Sequence, residues 1–284
     1  MSTPSTDDLR ADVFLVRAGY AKSRTEAQSA IRSGRLRVNG EIVIKPSVVL
    51  DPDAQIEYVK PHPYVSRGAL KLIAALDAFE LSPAGLICLD VGASTGGFTE
   101  VLLERGAAKV YAVDVGHAQM HPKVRRDERV ISCDGVNARE LMRHYVPETP
   151  LALTIDVSFI GLKLALPPAL SLAGSGAWLV ALVKPQFEVG RFAVGKGGIV
   201  KDATARETAL RDVAAWINDQ AGWRVAGHMD SPIEGGDGNR EYLLAAKKVS
   251  RRSAAISGSV AAARSRTCRR RPIARASVRM WSVH

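Results

Sequence analysis

The sequence predicts an α/β protein in two parts: a seven-stranded, mostly parallel sheet covered by helices on both faces, preceded by a small α+β segment. From residue 66 onward, helical patterns alternate with short apolar runs, as in parallel strands joined by crossover helices. A glycine-rich turn, residues 92–97, directly follows the first of these runs. The first sixty residues instead combine two short helical patterns with an Asn-Gly turn, which indicates a separate domain.

The first segment is predicted to contain two helices and a hairpin. The run Leu9–Tyr20 has a helical pattern with a glycine near its end. Ser23 and Glu26 form a capping box, which indicates that a second helix begins there. Two short strands flank Asn39-Gly40, a residue pair that favours a two-residue hairpin turn.

Basic residues are concentrated in this segment, with seven Lys or Arg and two acids from Arg17 to Lys45. This balance fits a phosphate-binding surface that positions a nucleic acid, and a solvated basic face on a packing module is the alternative. Gly19–Arg24 and the turn Val38-Asn39-Gly40 resemble the S-four-type RNA-binding domain of a ribosomal small-subunit protein, which also occurs in pseudouridine synthases. The expected RNA contacts are Arg10, Lys22, Ser23, Arg24, Arg32, Arg35, Arg37 and Lys45, with Arg67 in the second part.

The second part is predicted to alternate strands and helices. Its strands are Leu86–Asp90, Val110–Asp114, Val130–Cys133, Leu151–Asp156, Ala177–Lys184, Trp223–Gly227 and Glu241–Ala246. Its helices are Arg67–Phe79, Gly97–Arg105, Ala138–Tyr145, Gly161–Leu172 and Thr204–Gln220. The expected organisation is a small domain at 7–59, a stiff proline-rich linker at 60–65, the large domain at 66–248 and an arginine-rich tail at 249–284.

The first predicted strand ends in Asp90 and leads into the glycine-rich turn. The glycines are spaced G-x-x-x-G-G, unlike the G-x-G-x-x-G of dinucleotide binders. A carboxylate disfavours a pyrophosphate but suits a cation, and S-adenosyl-L-methionine, a sulfonium with an amino-acid tail, is such a cation. An ordinary strand-to-helix turn is the alternative. The expected cofactor contacts in this stretch are Asp90, Gly92, Ala93, Ser94, Thr95, Gly96, Gly97, Phe98 and Thr99.

Charged residues also end the following strands, at the edge where parallel sheets bind ligands. Asp114 is expected to accept hydrogen bonds from the cofactor ribose, and Asp134 from an exocyclic adenine amine. Asp156, a further expected cofactor contact, and Lys184 end the next two strands. Glu241 reaches the same edge if the last strand runs antiparallel. Each acid alone could be a helix cap or a solvated turn residue, whereas their shared position favours a ligand site.

Five motifs carry a family resemblance: Ser66–Leu72, Asp90–Thr99, Asp156–Ile160, Lys184–Glu188 and Gly238–Tyr242. They resemble the TlyA family of ribosomal RNA cytidine 2′-O-methyltransferases, also named hemolysin A, over roughly residues 7–247. The second part resembles the Rossmann-like FtsJ-type ribose methyltransferases. The Lys-Asp-Lys-Glu tetrad of that family corresponds here to Lys71, Asp156, Lys184 and Glu241.

The resemblance implies S-adenosyl-L-methionine as cofactor and ribosomal RNA within ribosomal subunits as partner. Lys184 would hold or accept the proton of a ribose 2′-hydroxyl, and Asp156 would orient that lysine. Lys71 and Glu241 would align the hydroxyl for in-line displacement. The scheme requires no metal.

Two other classes of function remain open, a membrane-lytic hemolysin and a non-catalytic RNA-binding assembly factor. No apolar run reaches transmembrane length and the acidic start is unlike a signal peptide, so a cytoplasmic protein without membrane contact is expected. The intact tetrad disfavours the assembly factor. Three widely spaced cysteines indicate neither a disulfide framework nor a zinc site.

The net charge of +10 gives little evidence about the folded part, because the tail alone holds nine arginines and no lysine or acid. The tail is either a disordered RNA-binding arm or an unselected extension. The run Gly190–Gly197 imitates a nucleotide phosphate loop but lacks its Ser/Thr and a leading strand, so a basic lid loop is expected. His121 and His144 are isolated and are expected at the surface.

Overall fold

The computed structural model describes residues 10–21, 23–51, 53–59, 62–190, 194–235 and 238–249. The chain divides into two compact units, Met1–Tyr64 and Val65–His284. Lys22, the arginine-rich tail from residue 250 and the centre of the predicted lid loop at 191–193 lie outside the described residues.

The first unit contains two helices and a three-stranded antiparallel sheet, so the predicted helices and hairpin are confirmed. Its elements are α1 (Ala11–Arg17), α2 (Arg24–Arg32), β1 (Leu36–Val38), β2 (Glu41–Val43) and β3 (Ile56–Tyr58), with the sheet in the order β2-β1-β3. Ser23 caps α2 by accepting a hydrogen bond from Glu26 N. Asn39 and Gly40 both have positive φ, as a two-residue hairpin turn requires. The strand β3 was not predicted, because three residues are too few to show the alternating pattern of a strand.

A buried carboxylate organises part of the basic surface of this unit. Asp12 is fully buried, and it accepts hydrogen bonds from Arg10, Arg24 and Gln28 at 3.1, 3.1 and 2.8 Å. Burial raises the pKa of a carboxyl, but the three donors outweigh it and hold the pKa of Asp12 well below its ordinary value. Two of the residues predicted to contact RNA therefore also neutralise an internal acid. Among the other predicted contacts, Ser23, Arg32, Arg37 and Lys45 are exposed and Arg35 is half-buried.

We expect Asp12→Ala to destabilise the first unit by about 2 kcal/mol, because the side chains of Arg10 and Arg24 lose a charged acceptor. The folded pKa is depressed, so this stabilisation is present above about pH 4, the unfolded value, and is lost as the pH falls through the folded pKa. Hydrogen exchange of the α1 amides in the full chain measures it. Protection equal to that of the native chain at pH 7 would contradict the expectation.

The second unit is the predicted α/β domain with a seven-stranded sheet, and the fold class is confirmed. Its helices are α3 (Gly68–Ala78), α4 (Gly97–Glu104), α5 (Pro122–Arg125), α6 (Leu162–Leu172), α7 (Pro185–Glu188) and α8 (Ala203–Asp219). Its strands are β4 (Ile87–Val91), β5 (Lys109–Asp114), β6 (Val130–Asp134), β7 (Ala152–Ile155), β8 (Trp178–Val183), β9 (Trp223–Asp230) and β10 (Tyr242–Lys248). The sheet order is β6-β5-β4-β7-β8-β10-β9.

The strands β4 to β8 are parallel, whereas β10 pairs antiparallel with both β8 and β9. Glu241 was expected to reach the carboxyl edge of the parallel strands if the last strand runs antiparallel, and β10 does so. Tyr242 pairs with Val183, so Glu241 lies at the strand end from which Lys184 emerges. The core consists of residues such as Leu89, Leu153, Leu179 and Val213 on the strands and the covering helices.

One predicted helix is wrong. Over Ala138–Tyr145 the chain forms only a 3-10 turn, Ala138–Glu140, and then an irregular segment. Its residues Leu141 and Tyr145, four positions apart as on one face of a helix, pack into the core, so they fitted a helical pattern while anchoring a loop. The short helices α5 and α7 were not predicted, since four residues give no period. No helix in the described parts of the chain is long and apolar enough to cross a membrane.

Candidate active site

Two lysine–carboxylate pairs lie at the carboxyl edge of the sheet. Lys184 Nζ is 2.6 Å from Asp156 Oδ1, and Lys71 Nζ is 2.5 Å from Glu241 Oε2. The side chains of Lys71 and Lys184 are 9% and 11% exposed, so the two pairs differ mainly in their acids: Glu241 is 3% exposed and Asp156 is 23% exposed. The structure thus brings the four predicted catalytic residues together as one buried and one accessible pair, and the accessible pair can meet a substrate.

Ser158 belongs to the accessible pair. Lys184 Nζ donates a hydrogen bond to Ser158 Oγ at 2.8 Å, so the lysine is held by two groups on the turn that follows β7. Ser158 lies within the motif Asp156–Ile160, but it was not among the predicted catalytic or cofactor residues. Its position two residues after Asp156, at the same strand end, was the signal that could have identified it.

Close backbone packing fixes the turn that carries Asp156. Gly92 has φ of +82°, and a Cβ there would lie 2.3 Å from the backbone oxygen of Asp156. A Cβ on Gly235 would lie 2.5 Å from Glu241 Oε1. Both predicted catalytic acids are therefore packed against a glycine, a contact that residues with side chains would prevent.

A cleft of about 680 Å³ opens beside the accessible pair. Of the predicted cofactor residues, Gly92, Ser94, Asp114 and Asp156 line it. Asp114 accepts hydrogen bonds from Ser94 N and Gly116 N at 2.8 and 2.7 Å, so its half-buried carboxylate is held in place at the cleft wall. The cleft is large enough for a nucleoside with an amino-acid tail.

The rest of the glycine-rich stretch builds the turn rather than the cleft wall. Thr99 and Phe98 are buried in α4, and a Cβ on Gly97 would meet the side chain of Ser66 at 2.9 Å. Gly96, with φ of +92°, packs against Val124. Ala93 is buried and Thr95 accepts from His121 N through its backbone oxygen. These residues shape the turn, and their role as direct cofactor contacts stays a prediction.

Asp90 is fully buried and does not line the cleft, contrary to the expectation that it faces a cation. Its carboxylate accepts hydrogen bonds from the hydroxyls of Thr99 and Thr154 at 2.7 and 2.8 Å. Burial raises the pKa of Asp90 to about 6, against the two hydroxyl donors, which lower it. Asp90 therefore ties β4 to α4 and β7, and positions the turn from inside.

Asp134 also does not line the cleft. Its carboxylate accepts from Ser132 Oγ at 2.7 Å, from Ala118 N at 3.1 Å and from Arg125 at 3.2 Å. The Ser132 hydroxyl and the other donors hold the pKa of Asp134 below its ordinary value. These donors hold the side chain against its own loop, and the predicted hydrogen bond to an adenine amine stays a prediction.

Apolar residues that the sequence analysis did not select complete the cleft. Val115, Val136, Ala138 and Leu164 line it. Val115 and Leu164 are 69% and 62% exposed, an unusual exposure for large apolar side chains, and this exposure indicates a surface that a ligand covers. Such residues resemble ordinary core positions in a sequence, so only the fold reveals them.

Phe159 is the most exposed large apolar side chain at the edge of the cleft, at 92%. Its φ of +65° is rare for a residue with a Cβ, and such strain concentrates at functional sites. The ring centroids of Phe159 and Phe187 are 5.3 Å apart, so one ring supports the other. The structure thus places a supported aromatic face three residues after Asp156.

The two remaining sequence predictions concern basic segments. Arg67 is exposed at the start of α3. The loop that imitates a phosphate loop follows the helix α7 and no strand leads into it, as predicted. The residues directly after this loop contact buried Asn239, which accepts a hydrogen bond from Val200 N and donates one to Gly198 O.

Comparison with known proteins identifies the family. A family model described as FtsJ-like methyltransferase matches residues 64–248, and one described as S4 domain matches residues 9–56. The 16S/23S rRNA (cytidine-2′-O)-methyltransferase TlyA of Mycobacterium tuberculosis is 43% identical over 237 residues, 83% of this chain and 88% of that protein. This chain belongs to the TlyA family. It is a methyltransferase with the FtsJ-like fold, as the motifs predicted.

Other TlyA relatives carry a different name. Hemolysin A of Brachyspira hyodysenteriae is 41% identical over 83% of this chain and 98% of that protein. A solved Streptococcus thermophilus protein with a hemolysin name has 40% identity and a TM-score of 0.69, covering 90% of this chain and 95% of that chain. The two names within one TlyA family make a direct test of activity necessary.

Proposed function

We propose that this TlyA-family protein methylates the ribose 2′-hydroxyl of a cytidine in ribosomal RNA, with S-adenosyl-L-methionine as methyl donor. The observation that carries the proposal is the accessible Lys184–Asp156 pair beside the cleft, with the Lys71–Glu241 pair buried next to it. A lysine held by a carboxylate and a hydroxyl is suited to bind and deprotonate an alcohol.

The residues of the cleft fit S-adenosyl-L-methionine. Asp114 offers a fixed carboxylate for the ribose hydroxyls, and Val115, Val136 and Leu164 offer an apolar surface for the adenine. The negative charges of Asp114 and Asp156 favour a cationic ligand over a nucleotide phosphate. When bound, this cofactor supplies a methyl group activated by the positive charge of a sulfonium.

Lys184 binds the 2′-hydroxyl in the proposed reaction and, in its neutral form, accepts the hydroxyl proton at Nζ as the oxygen becomes a nucleophile. Asp156 stabilises the ammonium that forms, and Ser158 keeps the lysine directed at the hydroxyl. Lys71 and Glu241 hold the ribose side of the site through their mutual ion pair. Because proximity alone supplies roughly 7–11 kcal/mol in favourable cases, this alignment accounts for much of the rate.

The exposed ring of Phe159 suits the base of the target nucleotide. Enzymes that act on a single nucleotide turn it out of its helix and stack the free base on an aromatic side chain. Phe159, supported by Phe187, offers such a face next to the group that would bind the ribose. Arg24, Arg32 and Arg37 on the S4 unit add exposed charges for phosphates.

The names of two relatives suggest the finer specificity. The Mycobacterium tuberculosis protein is named for 16S and 23S rRNA, and a Campylobacter jejuni relative, 38% identical over 181 residues, is named for 23S rRNA alone. We therefore propose cytidine as the target, and the labelling experiment decides whether one ribosomal subunit or both are methylated.

The test uses purified protein, S-adenosyl-L-methionine labelled in the methyl group, and separate small and large ribosomal subunits from an unmethylated strain. Label recovered as 2′-O-methylcytidine supports the proposal, and its distribution between the subunits gives the substrate range. Cofactor binding without label on either subunit would favour the assembly factor. Lysis of red cells by cofactor-free protein would favour a hemolysin.

The role of Asp114 has its own prediction. We expect Asp114→Ala to weaken S-adenosyl-L-methionine binding by about tenfold to a hundredfold, since hydrogen bonds to a charged acceptor are lost. Isothermal titration calorimetry on the full chain measures this. Asp134→Asn is the matched control, because Asp134 ends the neighbouring strand outside the cleft, and it is expected to bind normally. An equal loss in both variants would restore Asp134 as a cofactor contact.

A further inference from the structure

One acidic side chain bridges the two segments that carry Asp156 and Lys184. Glu188 is the last residue of α7, four positions after Lys184. Its Oε1 accepts a hydrogen bond at 2.7 Å from the N–H of Leu162, which is six positions after Asp156 and begins α6. This hydrogen bond, outside the cleft, therefore joins the segment that starts at Asp156 to the segment that starts at Lys184.

The sequence explains why this contact exists. The N-cap residue of α6 is Gly161, which has no side chain to accept from the free N–H groups of the first turn. Glu188 supplies the acceptor from a different segment. A Cβ on Gly161 would lie 3.3 Å from Glu188 Oε2, so the glycine leaves room for the carboxylate to approach. Burial raises the pKa of Glu188, and the Leu162 N–H opposes this.

The bridge closes a loop around the accessible pair. Within the sheet, β7 and β8 are neighbouring parallel strands, with Ile155 paired to Ala181. Beyond the carboxyl ends of these strands, Glu188 and Leu162 connect the segments that follow them. The Asp156–Lys184 contact lies between these two connections, and so does the contact between Phe159 and Phe187. The pair and the aromatic face therefore both lie between the sheet pairing and the Glu188–Leu162 hydrogen bond.

We infer that Glu188 is a positioning residue for methyl transfer, which holds the 156–161 turn against the segment after Lys184 by accepting the Leu162 N–H. The inference rests on the proposed function. Glu188 does not line the cofactor cleft, so it acts through Asp156, Lys184 and Phe159 rather than on the reacting atoms. What the position requires is an acceptor of the correct length, and a negative charge is secondary.

The kinetic test compares Glu188→Ala with Glu188→Gln on ribosomal subunits. Glu188→Ala is expected to lower kcat between about tenfold and a hundredfold, as a misplaced catalytic group does. Glu188→Gln keeps an oxygen acceptor at the same length and is expected to stay within about threefold of the native kcat, since a neutral acceptor retains much of the bond. The control is Glu207→Ala, which removes an exposed glutamate from α8 and should leave kcat unchanged.

A second readout is independent of catalysis. The chain has six phenylalanines, and 4-fluorophenylalanine labelling with a Phe159→Leu variant assigns the ¹⁹F resonance of Phe159. Glu188→Ala should shift or broaden that resonance, whereas Glu188→Gln and Glu207→Ala should not. If the native chain methylates no ribosomal RNA, the proposed function fails, and the fluorine spectra still decide whether Glu188 holds the turn.

Three results would overturn the inference: a native kcat in Glu188→Ala, an equal loss in Glu188→Gln, or a Phe159 resonance that none of the variants moves. If Glu188→Ala does not fold, Glu188→Asp replaces it, because the side chain is one methylene shorter and falls short of Leu162. A lowered kcat with a displaced Phe159 resonance in Glu188→Asp supports the bridge, and native values for both exclude it.

Discussion

Lys184→Ala is expected to lower kcat for methyl transfer by about 10²–10⁴, the usual contribution of a positioned general base. The side chain is 11% exposed and lies within 2.8 Å of both Asp156 and Ser158, so its removal leaves the acid and the hydroxyl without their shared partner. The Kd for S-adenosyl-L-methionine should change little, because Lys184 does not line the cleft. Single-turnover kinetics with labelled cofactor and isothermal titration calorimetry separate the two effects.

Lys184→Arg distinguishes holding the hydroxyl from accepting its proton. An arginine keeps the charge and the hydrogen bonds but stays protonated in proteins, so it cannot act as a base. If Lys184 accepts the proton, the arginine variant should be nearly as slow as Lys184→Ala. Recovery of most of the rate would show that the lysine only holds the hydroxyl. Lys247→Ala, at an exposed position on β10, is the control and should react normally.

Three members of the tetrad, Asp156, Lys184 and Glu241, could be placed from the sequence because their positions depend on where strands end. Lys71, on helix α3, came only from the family resemblance. Asp156 and Lys184 directly follow apolar strands, and parallel strands end at one edge. Glu241 required one further condition, an antiparallel last strand, which the structure meets. A prediction of this kind needs only the element type and the order along the chain, and both follow from apolar patterning.

The direction of individual side chains could not be predicted in the same way. Asp90 and Asp134 occupy strand ends like Asp114, yet one points into the core and the other binds its own loop. Of these three acids, Asp114 lines the cleft. Asp114 pairs with Asp134, and Asp90 pairs with the residue two before Asp114, so the three side chains start on the same face of the sheet. They differ in burial and in the neighbouring groups that donate to them. The sequence places such an acid at the edge without specifying what it contacts.

Contacts between segments distant in sequence were also beyond prediction. The Phe159 ring is exposed because its backbone adopts a positive φ, and no local residue pattern indicates that conformation for a phenylalanine. The bridge from Glu188 to Leu162 joins residues 26 positions apart, and the chain between them forms α6, β8 and α7. Phe159 and Glu188 both lie within motifs that were selected from the sequence. The motifs therefore indicated where the site lies but not what each residue in them does.

Gly92→Ala is expected to have the second large effect on kcat, because backbone strain and a steric clash add at one position. A residue with a Cβ at φ of +82° is strained by roughly 1–2 kcal/mol. In addition, the new Cβ would lie 2.3 Å from the backbone oxygen of Asp156, which cannot rotate away as a side chain can. The turn that carries Asp156 must therefore move, and we expect kcat to fall by at least about 10²-fold, the effect of a misplacement near 1 Å.

Gly176→Ala isolates the strain from the clash. Gly176 has the same φ of +82°, but a Cβ there would meet no atom within 4 Å. This control should lose only the strain energy, about 1–2 kcal/mol in thermal or denaturant unfolding, and keep its kcat. Gly92→Ala should be less stable than the control and bind S-adenosyl-L-methionine more weakly, since Gly92 also lines the cleft. If both variants lose the same stability and both retain native kcat, contact between Gly92 and the Asp156 backbone does not position the catalytic pair.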